Sequence, residues 1–372
     1  MSSTSDSTWI SEYLASHPTY TSATPLDGGV SNYLYRLTEK GGSTVILKHA
    51  EPYAASDKTW SYRIERIACE HAALSSIPAA LLSSSARLGE VEIPYVISYD
   101  DGDHSLIMSD CGASAKDLHT AFPSLRPVQR LDYGRRIGLW LSALHKCTTI
   151  DKAAFSGNIA AKERKGMDQR ISLLSAGLPL ASSGSGTPAQ IASEQREFLE
   201  LLEPFVVAVT EADTGCIVHG DFWPGNLLVS PTPTETTKDF LAVIDWEDVR
   251  LGTGASDVGI FAAEAWLLCH FHSNSAQAAI SQPEDFGMLN MFLASYLEAR
   301  GGAEEGFLKE AMLQFAINLS VGRGGSVLML PVKRFGVKIV ELVMRQEIDW
   351  EGVLALGWGM NGWEGWVRAV AQ

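Results

Sequence analysis

The chain has 372 residues, of which 46% are hydrophobic and 20% charged, an ordinary globular composition that excludes a disordered chain. Its 44 acidic and 29 basic side chains leave a formal charge of −15. A chain this acidic repels phosphate backbones and anionic membranes, so any phosphate must be held at a small, specific site.

The length suits two domains or two lobes sharing a cleft. No run reaches the roughly 20 apolar residues of a membrane-spanning helix. The start, MSSTSDSTWISEYLASHP, lacks the basic head and apolar core of a secretory leader. Five scattered cysteines without a CxxC pair read as free thiols rather than a disulfide or zinc framework. The expectation is a cytoplasmic protein with no membrane or nucleic-acid partner.

In chain order, Trp9 to Leu14 is a short amphipathic stretch. After Asp27-Gly28-Gly29, the runs Asn32 to Leu37 and Thr44 to Lys48 read as a hairpin. Arg63 to Ile77 has helical periodicity and is expected to end at Pro78. Val91 to Ser98 and Ser105 to Ser109 are strand-like, ending at Cys111-Gly112. Residues 1–112 therefore read as a small β-rich lobe, and 113–372 as a larger helical one, α+β in class.

In that second part, Gln129 to Cys147 places Ile137, Leu141 and Leu144 on one helical face. Ser182 to Gly186 reads as a surface loop and Glu194 to Thr210 as a helix. Ile217 to Val229 and Phe240 to Trp246 read as short strands around a Thr/Pro-rich loop, Pro231 to Lys238. Further helices are predicted at Ser256 to His270, Met288 to Ala299, Phe307 to Leu319 and Lys333 to Arg345.

The chemistry concentrates in the segment from Ile217 to Val229, which contains HGDFWPGN, followed by IDWE at Ile244 to Glu247. Asp221 and Asn226 are five residues apart, and Asp245 lies 24 beyond Asp221. On loops between strands these can converge. Asp221 would then accept a proton from an attacking hydroxyl, while Asn226 and Asp245 offer hard oxygen ligands to Mg²⁺. His219 reads as a loop support rather than a ligand. Asp257, in GASDVG, reads as structural, capping the helix that follows.

HGDFWPGN followed by IDWE resembles the catalytic and metal-binding loops of the aminoglycoside phosphotransferase and choline kinase superfamily. That resemblance implies a protein-kinase-like, two-lobed fold and ATP-dependent phosphorylation of a small-molecule hydroxyl. By position it makes Asp221 the base and Asn226 and Asp245 the magnesium ligands. It further implies that Gly28, Gly29 and Asn32 lie in the loop covering the nucleotide, where glycines let backbone N–H groups approach phosphate. Lys48 in VILK would contact the phosphates, oriented by Glu70 or, as runner-up, Glu65. Met108 and Ser109 in LIMS would lie on the hinge strand beside adenine.

GGxxN at Gly28 to Asn32, ILKHA at Ile46 to Ala50 and FSGNI at Phe155 to Ile159 are similar to 5-methylthioribose kinases and fungal 4-hydroxytryptamine kinases. HGDFWPGN is nearer the general superfamily pattern, so the acceptor does not transfer from either. Two other readings stay open: a catalytically weak nucleotide-binding pseudokinase or interaction module, and a hydrolase holding metal through His219, Asp221, Asp245 and Asp257. Glu247 and Asp248 add negative charge on the metal side, though such residues more often face solvent. Trp350, Trp358, Trp363 and Trp366 read as packing or a substrate wall, and Arg323 and Arg334 as surface cations or anion contacts.

Overall fold

The computed structural model describes residues 4–26, 29–84, 91–155, 200, 215–230, 240–274, 286–302 and 304–321, with single positions at 336, 339 and 343. Gly28, the predicted Ser182–Gly186 and Pro231–Lys238 loops, the predicted helix at 194–210, Arg323, Arg334 and the four C-terminal tryptophans lie outside them. Among the described residues, no helix is long and apolar enough to cross a membrane.

The first lobe is built on a five-stranded antiparallel sheet of order β1-β2-β3-β7-β6. It follows helix α1 (Thr4–Ser16) and comprises β1 (Tyr20–Pro25), β2 (Tyr33–Glu39), β3 (Thr44–His49), β6 (Val96–Asp100) and β7 (Ser105–Ser109). A small hairpin, β4 (Tyr53–Ala54) and β5 (Asp57–Ser61), and helix α2 (Arg66–Ser84) connect β3 to β6.

Strand alternation divides this sheet chemically, because successive side chains point to opposite faces. Tyr35, Leu37, Val45, Leu47 and Ile107 form a core beneath α1, into which Trp9 and Tyr13 pack. Ile46 and Lys48 on β3 point the other way, beside Leu34, Arg36 and Met108, and line the cleft between the lobes. The register Ile46↔Met108 and Lys48↔Leu106 makes that cleft face apolar at one end and cationic at the other.

Two expectations are corrected here. Helix α2 does not stop at Pro78 but carries it internally to Ser84. Proline removes one helical N–H donor, a cost of about 3 kcal/mol in a helix interior. Ile77 and Leu81 on either side are buried in the core, and their burial offsets that loss. The strand predicted from Val91 begins only at Val96. Before it, Glu92 bridges to Ala242, exchanging hydrogen bonds with Leu241 and Val243 at 2.7 and 2.9 Å. The chain before β6 is therefore pinned to the second lobe.

The second lobe opens with β8 (Lys116–Asp117), α3 (Leu118–Ala121) and α4 (Pro127–Lys146). Short strands β9 (Cys216–Val218), β10 (Leu227–Val229), β11 (Leu241–Val243) and β12 (Arg250–Gly252) follow. The helices α5 (Ala255–Asn274), α6 (Gly287–Arg300) and α7 (Glu305–Val321) complete it. Gly134 and Gly138, one turn apart on α4, allow its backbone to lie against α6: a Cβ at either would collide with the carbonyls of Met288 or Phe292. The α+β class, sheet first and helices second, is the one the sequence implied. β10 pairs with both β11 and β8, and β9 pairs with β12, so the segments carrying HGDFWPGN and IDWE start and end on paired strands.

Candidate active site

The loop from His219 to Asn226 rests on an aromatic floor. Trp140 and Trp246 are fully buried and meet edge to face with centroids 5.9 Å apart. Phe222 stacks on Trp140 at 6.0 Å, and the His219 ring lies 4.7 Å from Trp246. This loop carries few apolar residues of its own, so Phe222 anchors it while its neighbours point into the cleft.

Asp257 fixes the loop backbone. Its side chain is fully buried, and its two carboxylate oxygens accept the N–H groups of His219 at 2.7 Å and Gly220 at 3.0 Å. His145 Nε2 on α4 reaches the same carboxylate at 3.2 Å and shares its other ring nitrogen with Tyr296. Asp257 thus lies inside the first turn of α5 and binds another segment, which corrects the expectation that it caps its own helix. Gly220 has φ +89° and touches the carbonyl of Asp248, so only glycine fits there.

His219 is a second strut. Its Nε2 faces the Ile244 carbonyl at 3.0 Å, and its Nδ1 faces the Asp221 N–H at 3.4 Å. A carbonyl on one side and an N–H on the other require the neutral ring protonated at Nε2. Burial, which pushes the imidazole below its ordinary value of 6.5, favours the same state. The bond to Ile244 joins the HGDFWPGN segment to the chain just before Asp245. Ile244 N–H in turn donates to the Asn226 carbonyl at 3.0 Å.

Asn226 Nδ2 donates to the Asp221 carbonyl at 2.9 Å and to its Oδ2 at 3.2 Å. That leaves the Asn226 side-chain oxygen as the atom available to a cation. Asp245 has φ +64°, a left-handed conformation unusual for a non-glycine residue. Its neighbours explain it: Ile244 is held on both sides as above, and Trp246 N–H donates to Glu70 Oε1 at 3.2 Å. Asp245 bridges two fixed points and presents its carboxylate, 34% exposed, to the cleft.

Lys48 meets that carboxylate. Its Nζ lies 2.5 Å from both Asp245 Oδ1 and Glu70 Oε2, and 3.5 Å from Glu247 Oε2. Burial alone would push the ammonium down, but Asp245, Glu70 and Glu247 outweigh it and keep Lys48 charged. Burial pushes the Glu70 carboxyl up, with Lys48 opposing. Glu70 rather than Glu65 is thus the helix α2 partner of Lys48.

Glu247 overturns its solvent-facing expectation: it is 3% exposed, accepts from Asn32 Nδ2 at 2.6 Å and lies 3.5 Å from Arg66 Nε. Arg66 Nε and one terminal nitrogen also donate to Asn32 Oδ1, at 3.1 and 2.8 Å. Glu70, Asp245 and Glu247 offer oxygens within 4.8 Å of one another, the spacing of a cation site, and the Lys48 ammonium lies against all three.

A cleft of about 1070 Å³ is lined by Gly29, Lys48, Met108, Asp221, Asn226 and Asp245, among others. Ser109 also borders it, with its N–H on the Tyr95 carbonyl at 3.0 Å. The structure therefore brings the described sequence-predicted residues to one cleft or to the loop beneath it. Sequence reasoning missed Arg66, Glu247 as a buried group, and the aromatic pair Trp60 and Tyr62 at the cleft edge. No spacing rule joins Glu247 to Asn32 across 215 residues. The one available signal was its place two residues after Asp245.

Known proteins resemble this chain in the same regions. It is 27% identical to the 4-hydroxytryptamine kinase of Psilocybe cyanescens over 271 residues, covering 69% of this chain and 71% of the relative. The corresponding kinase of Psilocybe cubensis is 26% identical over 290 residues, covering 74% and 76%. Among solved structures, choline kinase LicA from Streptococcus pneumoniae aligns with a TM-score of 0.47 at 14% identity, over 91% of this chain and 99% of that one. The sequence pattern of the phosphotransferase enzyme family (APH) matches residues 22–287. With more than two thirds of its length matched, the chain belongs to the phosphotransferase enzyme family.

Proposed function

We propose that this phosphotransferase moves the γ-phosphoryl group of ATP to a hydroxyl of a small-molecule metabolite. The observation that carries the reading is the meeting of Lys48, Asp221, Asn226 and Asp245 at one cleft, from three separate stretches of chain. The proposed lobes are residues 1–112 for the nucleotide and 113–372 for catalysis and the acceptor.

In this reading Lys48, held charged by Asp245 and Glu70, contacts the nucleotide phosphates, and the backbone at Gly29 covers them. Met108 and Ser109 border the adenine. Asn226 and Asp245 fit Mg²⁺ by donor chemistry: both present hard oxygens, one of them an anionic carboxylate on a backbone held in place. The ion would neutralise charge on the phosphates.

Asp221 receives the acceptor's hydroxyl proton as the new O–P bond forms and the bond from the γ-phosphorus to the bridging oxygen breaks. An aspartate of ordinary pKa, about 3.9, is a weak base for an alcohol. It suffices when the proton leaves late, in a loose transition state. The Asn226 amide against Asp221 Oδ2 helps to fix the carboxylate's orientation in the cleft.

The 4-hydroxytryptamine kinases among its relatives make a hydroxylated arylalkylamine the first acceptor to try, followed by amino alcohols, sugars and aminoglycosides. ADP release with such a panel tests the function. Asp221→Ala is expected to lower kcat by about 10²–10⁴-fold while ADP still binds. A variant turning over near the wild-type rate removes Asp221 from the chemistry. Failure of every acceptor, with ATP still bound, favours the pseudokinase reading.

A further inference from the structure

We infer that Asn32 and Glu247 form a tie that sets the nucleotide-covering loop over the segment carrying Asp245, and that Glu247 is a positioning residue rather than a metal ligand. The inference rests on reading the cleft as a nucleotide site.

Its basis is the environment of one oxygen. Glu247 Oε2 accepts the Asn32 amide at 2.6 Å and lies 3.5 Å from both Arg66 Nε and Lys48 Nζ. Three nitrogen groups, two of them cationic, therefore surround it. A divalent ion at that oxygen would face the Arg66 guanidinium at close range where screening is weak, whereas Asp245, which also meets Lys48, is 34% exposed and has no arginine beside it. The oxygen already has the partners a buried carboxylate needs.

Asn32 is equally committed. Its Nδ2 gives one N–H to Glu247 and its Oδ1 takes two N–H groups of Arg66, so the amide's orientation is fixed by this pair. Arg66 also donates to the Ser31 carbonyl at 2.9 Å and to the Arg63 carbonyl at 2.7 Å, stapling the loop to the start of α2. On the loop's outer side, Ala55 and Ser56 N–H groups donate to the carbonyls of Ser31 and Val30. The covering loop is thus held from both sides before any nucleotide arrives, which lowers the ordering cost of binding.

The amide and carboxylate of this pair can be exchanged without changing the total charge. Asn32→Asp alone sets two carboxylates face to face, and Glu247→Gln alone removes the charge that Arg66 and Lys48 share. Each is expected to weaken ADP binding about tenfold or more, in line with the loss of one buried charge-assisted hydrogen bond. The double variant Asn32→Asp/Glu247→Gln rebuilds the hydrogen bond with donor and acceptor reversed and keeps a carboxylate beside Arg66. It is expected to recover ADP affinity to within about threefold of wild type.

The experiment is calorimetric titration of ADP into the full chain in excess Mg²⁺, repeated as a Mg²⁺ titration at fixed ADP, with thermal melting of each variant. Recovery in the double variant, with an unshifted Mg²⁺ half-saturation, supports the tie. A double variant as weak as the singles, or unfolded, overturns it. So does recovery of ADP binding with a Mg²⁺ requirement still raised, which would mark Glu247 as a ligand. If the wild-type chain binds no ADP, the nucleotide reading fails and this inference fails with it. Wild-type binding without rescue sinks the inference alone.

Discussion

The two walls of the cleft are held by different physics. Beneath Asp221 the loop is fixed by neutral backbone N–H groups converging on one buried carboxylate, Asp257, and by the uncharged ring of His219. Beside it, Lys48, Arg66 and Glu70 of the first lobe and Asp245 and Glu247 of the second hold one another by charge. The second arrangement places a lysine and an aspartate in direct contact, and both are groups that the proposed reaction needs for phosphate and metal. The loop under Asp221 is thus tied by backbone hydrogen bonds, and the cluster around Lys48 by ion pairs.

The largest effect that would break this contrast lies at Gly220. Gly220→Ala adds a Cβ against the Asp248 carbonyl at φ +89° and is expected to cost about 4 kcal/mol or more in urea unfolding. A loss under about 1 kcal/mol would show that the loop from His219 to Asn226 is soft after all.

The same chemical change at two aspartates sharpens the comparison. Asp257→Asn replaces an acceptor of two N–H bonds with an amide that must turn its NH₂ towards one of them. It is expected to cost about 2–3 kcal/mol of stability, with kcat falling alongside. Asp245→Asn removes a partly exposed charge at a left-handed position that asparagine tolerates well. Its stability is expected to change by about 1 kcal/mol or less. Its Mg²⁺ requirement should rise steeply in an ADP-release assay. Equal stability losses at the two positions, or an unchanged magnesium titration for Asp245→Asn, would erase the distinction.

The smallest expected effect is a pH dependence. His219 is held below its ordinary 6.5 by burial, so in the range beneath 6.5 the unfolded chain binds a proton that the folded chain does not. Its contribution to stability is therefore present above pH 6.5 and lost as pH falls through the lowered value. Melting temperatures between pH 8 and 5 should fall less steeply for His219→Gln than for wild type. Parallel curves would show that His219 is not the neutral strut described here.

Legibility in the sequence followed the range of the interactions. The β2–β3 hairpin and the helices α4, α5, α6 and α7 were readable because period 2 and period 3.6 are local properties of the chain. Asp221, Asn226 and Asp245 were readable because their spacing is short and their residue types are demanding. Pro78 misled because local propensity predicts a stop, whereas burial of Ile77 and Leu81 decides otherwise. Glu247 misled because an acidic residue in an acidic chain is ordinarily solvated, and nothing near it in sequence announces Asn32 or Arg66.

By itself, then, the sequence picked out the polar side chains that the fold gathers at the cleft and the strands and helices that carry them, since both depend on neighbours a few residues away. The tertiary structure alone decided which of those side chains are spent on one another. Whether a carboxylate is buried against an amide and two cations, as Glu247 is, or turned to the cleft, as Asp245 is, depends on dielectric surroundings and partners that only folding brings together.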